Sequence, residues 1–239
     1  MMLYLDAGNT RLKWGLRAVG LPPGTPWVAT GALAHTDIAT LADSLPQAPQ
    51  RIAACNVAGP QARAAIEALA QTLRAPLAWL TPTAFACGVA NGYDNPVQLG
   101  ADRWAALIGA RAWHAGDAVV VMAGTATTID QLDAGGRFRG GLILPGLALM
   151  RGALARNTAG LPEARGAYRE APTNTDDAIA AGCLHATLGA IERMRGNLGG
   201  DAQVMLSGGA AGELAAHVAP PCQQVDYLVL EGLARWASA

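Results

Sequence analysis

One ten-residue pattern occurs twice in this chain. Residues 5–14 read LDAGNTRLKW and residues 121–130 read VMAGTATTID, sharing Ala-Gly at the same place after an apolar run. In the first copy Arg11, Lys13 and Gly15 alternate with Leu12, Trp14 and Leu16 beyond the glycine, which is the period of a strand and not of a helix. A dinucleotide-binding turn would lead into a helix, so each copy reads as a β-hairpin with a glycine at or beside its tip. The order of elements around each copy also repeats: hairpin, third strand, helices, further strand. A shared motif inside a shared order predicts two copies of one α/β unit, residues 1–114 and 115–239, with a ligand between them.

The elements follow from local chemistry. In the first copy a Pro/Gly turn, GLPPGTP (20–26), separates the hairpin from a third strand in WVATGAL (27–33), and a short helix is expected near 34–45. RIAACNV (51–57) reads as a buried strand, PQARAAIEALAQTL as a helix with proline at its start, and LAWL as a strand. The stretch TPTAFACGVANGYDNPVQLGADR (81–103) is rich in turn formers and long for a connection, which marks it as a functional loop ahead of the helix RWAALIGARAWH. In the second copy the apolar stretch AVVVMAGTATTIDQL (118–132) carries the returning hairpin pattern, and GRFRGGLILPG reads as a third strand and turn. An apolar helix to about 156, a polar segment, a long helix DDAIAAGCLHATLGAIERMR and the strand-turn-helix VMLSGGAAGEL follow.

Charge narrows the partners. Seventeen basic and eighteen acidic residues give a net charge of −1, so no overall field gathers nucleic acid or an anionic membrane. No apolar run approaches the about 20 residues of a membrane span, and no signal peptide is visible; a cytoplasmic protein is expected. Cys55, Cys87, Cys183 and Cys222 are widely spaced without metal-site spacing and read as reduced thiols. Charged residues are only 15% of the chain, against about 25% in an average soluble domain, which leaves apolar surface for an oligomer contact.

Three places could carry chemistry. At the first tip Gly8 lacks the β-carbon that would block a phosphate, Asn9 and Thr10 add short donors, Lys13 adds charge, and Asp6 could hold Mg²⁺. The same residues also make an ordinary turn. At the second tip Gly124, Thr125, Thr127 and Thr128 repeat the arrangement, and Gly208-Gly209 offers flat backbone to a nucleotide. In GADRW (100–104) Asp102 could cap the following helix or accept a hydroxyl proton, with Arg103 anchoring an anionic substrate. On the residues alone both readings of each place stay open. His35, His114, His185 and His217 read as surface or packing residues.

The motifs DAGNTRLKW, YDNPVQLGADR, AGTATTID, GGLILPG, NTDDAI and SGGAA stand in the order seen in type III pantothenate kinases, the Bvg accessory factor-like family. The chain resembles that family over nearly its whole length. The resemblance implies an α/β fold of two ribonuclease-H-like domains of the acetate/sugar kinase and actin superfamily, with mixed sheets flanked by helices. It implies ATP- and Mg²⁺-dependent phosphorylation of pantothenate to 4′-phosphopantothenate, the first step of coenzyme A biosynthesis, by a cytoplasmic homodimer without nucleic-acid or membrane partners.

Carried over by position, Asp6, Ala7, Gly8, Asn9, Thr10, Arg11, Leu12 and Lys13 would bind ATP and Mg²⁺, joined by Thr125. Tyr93, Gly100, Ala101, Asp102 and Arg103 would hold pantothenate, with Asp102 as proton acceptor and Thr175 meeting substrate near the dimer interface. Many members carry Asp at the position of Met122, where it binds K⁺. A thioether is no ligand for a hard cation, so that K⁺ site is expected to be absent, or replaced by NH₄⁺ or by neighbouring carbonyls. A kinase of another small hydroxylated substrate, and a non-catalytic nucleotide-binding regulator, are the alternatives.

Overall fold

A computed structural model describes residues 1–239 as two compact units. The first unit's sheet holds β1 (Met2–Ala7), β2 (Leu12–Arg17), β3 (Ala29–Leu33), β4 (Arg51–Asn56) and β5 (Leu77–Trp79), in the order β3-β2-β1-β4-β5. β1 pairs antiparallel with β2 and parallel with β4. The turn at 8–11 is the first glycine tip. The segment expected as a short helix is a 3-10 stretch, His35–Thr40, followed by the single turn α1 (Leu41–Ser44). α2 (Pro60–Thr72) starts on proline as its sequence requires, and its buried face of Ala62, Ile66, Leu69 and Ala70 joins Leu3, Leu5, Ile52 and Ala54 in the core.

The long connection is not structureless. It contains a small ribbon, β6 (Phe85–Ala86) with β7 (Val89–Ala90), and a 3-10 turn at Pro96–Gln98 before α3 (Ala101–Trp113).

The second unit repeats the plan. Its sheet holds β8 (Ala118–Ala123), β9 (Ala126–Leu132), β10 (Phe138–Pro145), β11 (Gln203–Ser207) and β12 (Cys222–Gln224), in the order β10-β9-β8-β11-β12. Rank for rank this is the order of the first sheet, with β8 antiparallel to β9 and parallel to β11, as β1 is to β2 and β4. The repeat seen in ten residues therefore extends to the topology of both sheets. α4 (Leu147–Asn157), α5 (Thr175–Gly196) and α6 (Ala211–Ala215) complete the unit, and α5 buries Ile179, Cys183, Leu184 and Ile191 against Val119, Val121 and Val204.

The chain does not divide into contiguous halves. Residues 1–115 form the first unit, near the expected break at 114, but 136–138 and 227–239 also belong to it. The physical cause is α7 (Leu228–Trp236), whose nearly continuous buried run packs along α3. The two helices meet backbone to backbone. A β-carbon at Gly109 would lie 2.5 Å from the Leu228 carbonyl, and one at Gly232 would overlap the Ala105 carbonyl. Gly232→Ala must push the helices apart, an overpacking cost of about 1–3 kcal/mol. A fall in Tm of roughly 2–4 °C per kcal/mol in thermal unfolding is the expected result.

Candidate functional site

In the first unit Asp6 stands at the end of β1, opposite Lys13 on β2 and beside Cys55 on β4, because β1 is the central strand of its sheet. The carboxylate is 5% exposed, and the Cys55 thiol donates to its Oδ1 at 3.6 Å. Burial pushes its pKa up to about 6. Lys13 and the Cys55 bond pull the other way, while the charge of Asp102 adds to the rise. The Asp102 carboxylate, expected to share one reaction with Asp6, thus lies near enough for its charge to act on Asp6.

Beyond Asp6 the strand turns. Ala7 and Leu12 are buried in the strands, Gly8 is half-buried, and Asn9, Thr10 and Arg11 project at the exposed tip. His35, expected to be a surface or packing residue, ties this tip down. Its Nε2 lies 2.9 Å from the Gly8 carbonyl oxygen, and since a carbonyl only accepts, Nε2 carries the proton. Nothing in the spacing of 8 and 35 signals that contact; pairing of β2 with β3 creates it.

Asp102 and Arg103 lie in the first turn of α3, where their backbone is fixed by the helix. Gly100 is the N-cap residue and makes no side-chain cap bond; a β-carbon there would sit 2.6 Å from Asp102 Oδ1. Glycine therefore leaves room for a carboxylate that folds back, with Oδ1 accepting from the Arg103 backbone N–H at 2.8 Å. Ala101 and Asp102 remain partly exposed. Arg103 is 4% exposed and donates from Nη1 to the Tyr93 hydroxyl at 2.7 Å. Its guanidinium also faces the rings of Tyr93 and Phe138, which lie 5.5 Å apart by their centroids. Phe138 is a wall that the sequence did not flag: it sits at the start of a strand of the other sheet but groups with the first unit.

In the second unit β8 and β9 are joined at Gly124–Thr125, the second tip. Two glycine turns close on it. Gly146 N–H donates to the Thr125 carbonyl at 2.9 Å, and a β-carbon at Gly146 or at Gly208 would collide with the carbonyls of Gly124 or Ala123. Thr125 stays exposed at the turn, whereas Thr127 and Thr128, expected to project at the tip, are buried because they lie inside β9, which begins at Ala126. Met122 lies opposite Thr128, whose hydroxyl is buried without a hydrogen-bond partner. Thr175 opens α5, exposed, next to the Asn174 cap. Asp177 accepts from Asn174, the Ala167 N–H and Arg169, bonds that hold its carboxyl below the usual range and fasten the segment before the helix.

Two sheets of one order, each presenting a glycine tip at the end of its first strand, define the duplicated α/β fold of the acetate and sugar kinase class. Solved structures agree on the fold. A Baf family protein of Campylobacter jejuni matches with a TM-score of 0.65 at 22% identity, over 97% of this chain and 94% of that one. A Sinorhizobium meliloti protein described as a 2-dehydro-3-deoxygalactonokinase matches with 0.56 at 17% identity, over 100% and 98%.

The sequence profile of type III pantothenate kinases matches residues 2–197. A type III pantothenate kinase of Aromatoleum aromaticum is 51% identical over 98% of this chain and 96% of its own, and one from an Azoarcus species is 47% identical over 100% and 91%. The chain belongs to the type III pantothenate kinase family, and its activity is the ATP-dependent phosphorylation of pantothenate in coenzyme A biosynthesis.

Proposed function

We propose that Asp102 accepts the proton of the attacking hydroxyl while Asp6 serves the magnesium phosphate complex of ATP. The charge of Asp102 acting on the buried Asp6 supports this reading, because it sets a candidate base near a carboxylate suited to the metal. Mg²⁺ supplies charge neutralisation on the polyphosphate and commonly uses only one or two protein carboxylates, keeping waters and phosphate oxygens for the rest. No group of three or more His, Cys, Asp or Glu residues suited to a metal exists in the chain, and a single buried carboxylate beside Lys13 fits that mode. Tip residues 8–13 and Thr125 bind the phosphates by backbone N–H groups and short side chains. Tyr93 and Arg103 fix pantothenate, the ring against its dimethyl carbons and the guanidinium toward its carboxylate.

Transfer is then in-line, and positioning supplies most of the rate. Formation of 4′-phosphopantothenate from ATP, Mg²⁺ and pantothenate by the purified chain, read by mass spectrometry, tests it. Nucleotide binding without any transfer would instead identify a regulator.

The protein is further read as a cytoplasmic homodimer. No helix is long and apolar enough to cross a membrane. In support of the dimer, Leu142 and Ile143 on β10 and Leu149 and Leu154 on α4 leave apolar side chains exposed on consecutive elements of the second unit. Sedimentation equilibrium gives the mass.

Two further outcomes are expected. His35→Ala removes the bond that holds the Gly8 carbonyl, and the ATP KM should rise about 2–12-fold, as loss of 0.5–1.5 kcal/mol implies, with the pantothenate KM little changed. Steady-state kinetics with each substrate varied in turn separates the two. Secondly, the Met122 thioether is no hard donor and Thr128 offers only a neutral oxygen, so the carboxylate-based K⁺ site is expected to be absent at the second tip. Turnover should persist when K⁺ is replaced by Na⁺; strict dependence on K⁺, with an ion bound beside Met122, would refute this.

A further inference from the structure

A cavity of about 580 Å³ in the first unit is lined by none of Asp6, Tyr93 and Asp102. Beside the Pro/Gly turn at 20–23 and Arg17 of β2, its walls include the Cys87–Gly88 tip of the β6–β7 ribbon, Arg111 near the end of α3, and Arg235 near the end of α7. Both tip residues have left-handed backbones, φ 53° and 82°, so the ribbon turns back tightly against the arginines.

The charges in it do not cancel. Glu231 is the one acid of the lining and is already spent: Arg17 binds both its oxygens at 2.9 and 3.1 Å, and Trp27 Nε1 donates to it at 3.1 Å. Arg111 bonds only the Ala115 carbonyl, at 2.5 Å, and Arg235 is exposed without a salt bridge or side-chain hydrogen bond. Two guanidiniums thus face one concave space with no counter-charge. The volume suits a small molecule and far exceeds a single water. Burial pushes the Cys87 thiol up, so this sulfur is mostly a neutral wall that reacts slowly with an electrophile, and the cavity is built to bind.

We propose that this cavity binds a small phosphate dianion, either inorganic phosphate or the phosphate of a small monoester, between Arg111 and Arg235. Guanidinium forks match phosphate oxygens, and two positive charges match a dianion. Occupation also reaches the loop that serves the substrate. Four residues past Val89 stands Tyr93, with Asn91 Oδ1 accepting its N–H at 3.1 Å and Arg103 bound to its hydroxyl.

Cys87 supplies a local readout in the full-length protein. The rate of its alkylation by N-ethylmaleimide is followed by peptide mass spectrometry in sodium phosphate, in glycerol 3-phosphate and in sodium chloride of equal ionic strength. Bound anion should slow Cys87 modification by a factor of 1 + [L]/Kd, about tenfold at ten times Kd. Cys222, also partly buried but in the other unit, should be unaffected. Slowing by phosphate identifies the free ion as sufficient; slowing by glycerol 3-phosphate alone identifies the monoester. Arg235→Gln should weaken the protection, and Arg111→Gln with Arg235→Gln should abolish it while pantothenate turnover and Tm hold. Unchanged Cys87 rates in both anions, or protection surviving in the double variant, overturn the proposal.

Discussion

Asp102→Asn lowers kcat by about 10²–10⁴-fold, the usual contribution of a positioned base, while ATP still binds. The substitution isolates proton acceptance from structure. Asp102 is not the N-cap of α3; that place belongs to Gly100, and the Asp102 side chain bonds only the next N–H. Asparagine keeps an Oδ1 acceptor for that N–H and the same shape above Gly100, so the helix start and the Tyr93–Arg103 pair are undisturbed. What is lost is the basic oxygen and its charge. A residue that merely started the helix would show the opposite pattern, a lower Tm with kcat intact. Measured kcat, ATP affinity by calorimetry and Tm on one preparation therefore distinguish base from cap, and full turnover in the variant would return Asp102 to structure.

Much of this arrangement is legible from residue patterns because period and turn chemistry are local. LDAGNTRLKW and VMAGTATTID yield the two hairpins, and their recurrence anticipates two sheets of identical order. Other features depend on contacts far apart in sequence. α7 leaves the second half because Gly109 and Gly232 allow two backbones to touch, and neither glycine differs in sequence from a helix-weakening one. His35 reaches Gly8 only through the pairing of β2 with β3. Phe138 becomes a wall for Arg103 because the chain passes through the first unit between β9 and β10. Burial of Thr127 and Thr128 turned on where the tip gives way to β9 at Ala126, a boundary that residue pattern alone does not fix.

Asp6→Asn should make the unliganded protein more stable and the enzyme inactive. The folded protein holds the Asp6 proton to about pH 6, against an ordinary value of 3.8, because the carboxyl is buried and faces the charge of Asp102. Between those values the folded state binds more protons than the unfolded chain. Asp6 therefore stabilises the fold fully below about pH 4, and that contribution is lost as pH rises through 6. A rise of about two units corresponds to about 3 kcal/mol at neutral pH. Asparagine removes the charge and with it this cost, so at pH 7 the unliganded Tm should increase, by up to roughly 6–12 °C at 2–4 °C per kcal/mol. The stability slope between pH 4 and 6 should flatten.

The wild-type protein recovers the cost when a dication sits beside the carboxylate. Its Tm gain from Mg·ATP should accordingly grow from pH 5 to pH 7, while the variant gains little at either pH. Thermal unfolding with and without Mg·ATP across that range checks both halves. A variant that is less stable at pH 7, or that takes up Mg·ATP as well as the wild type, would show that Asp6 is held in place for the fold and not for the phosphates.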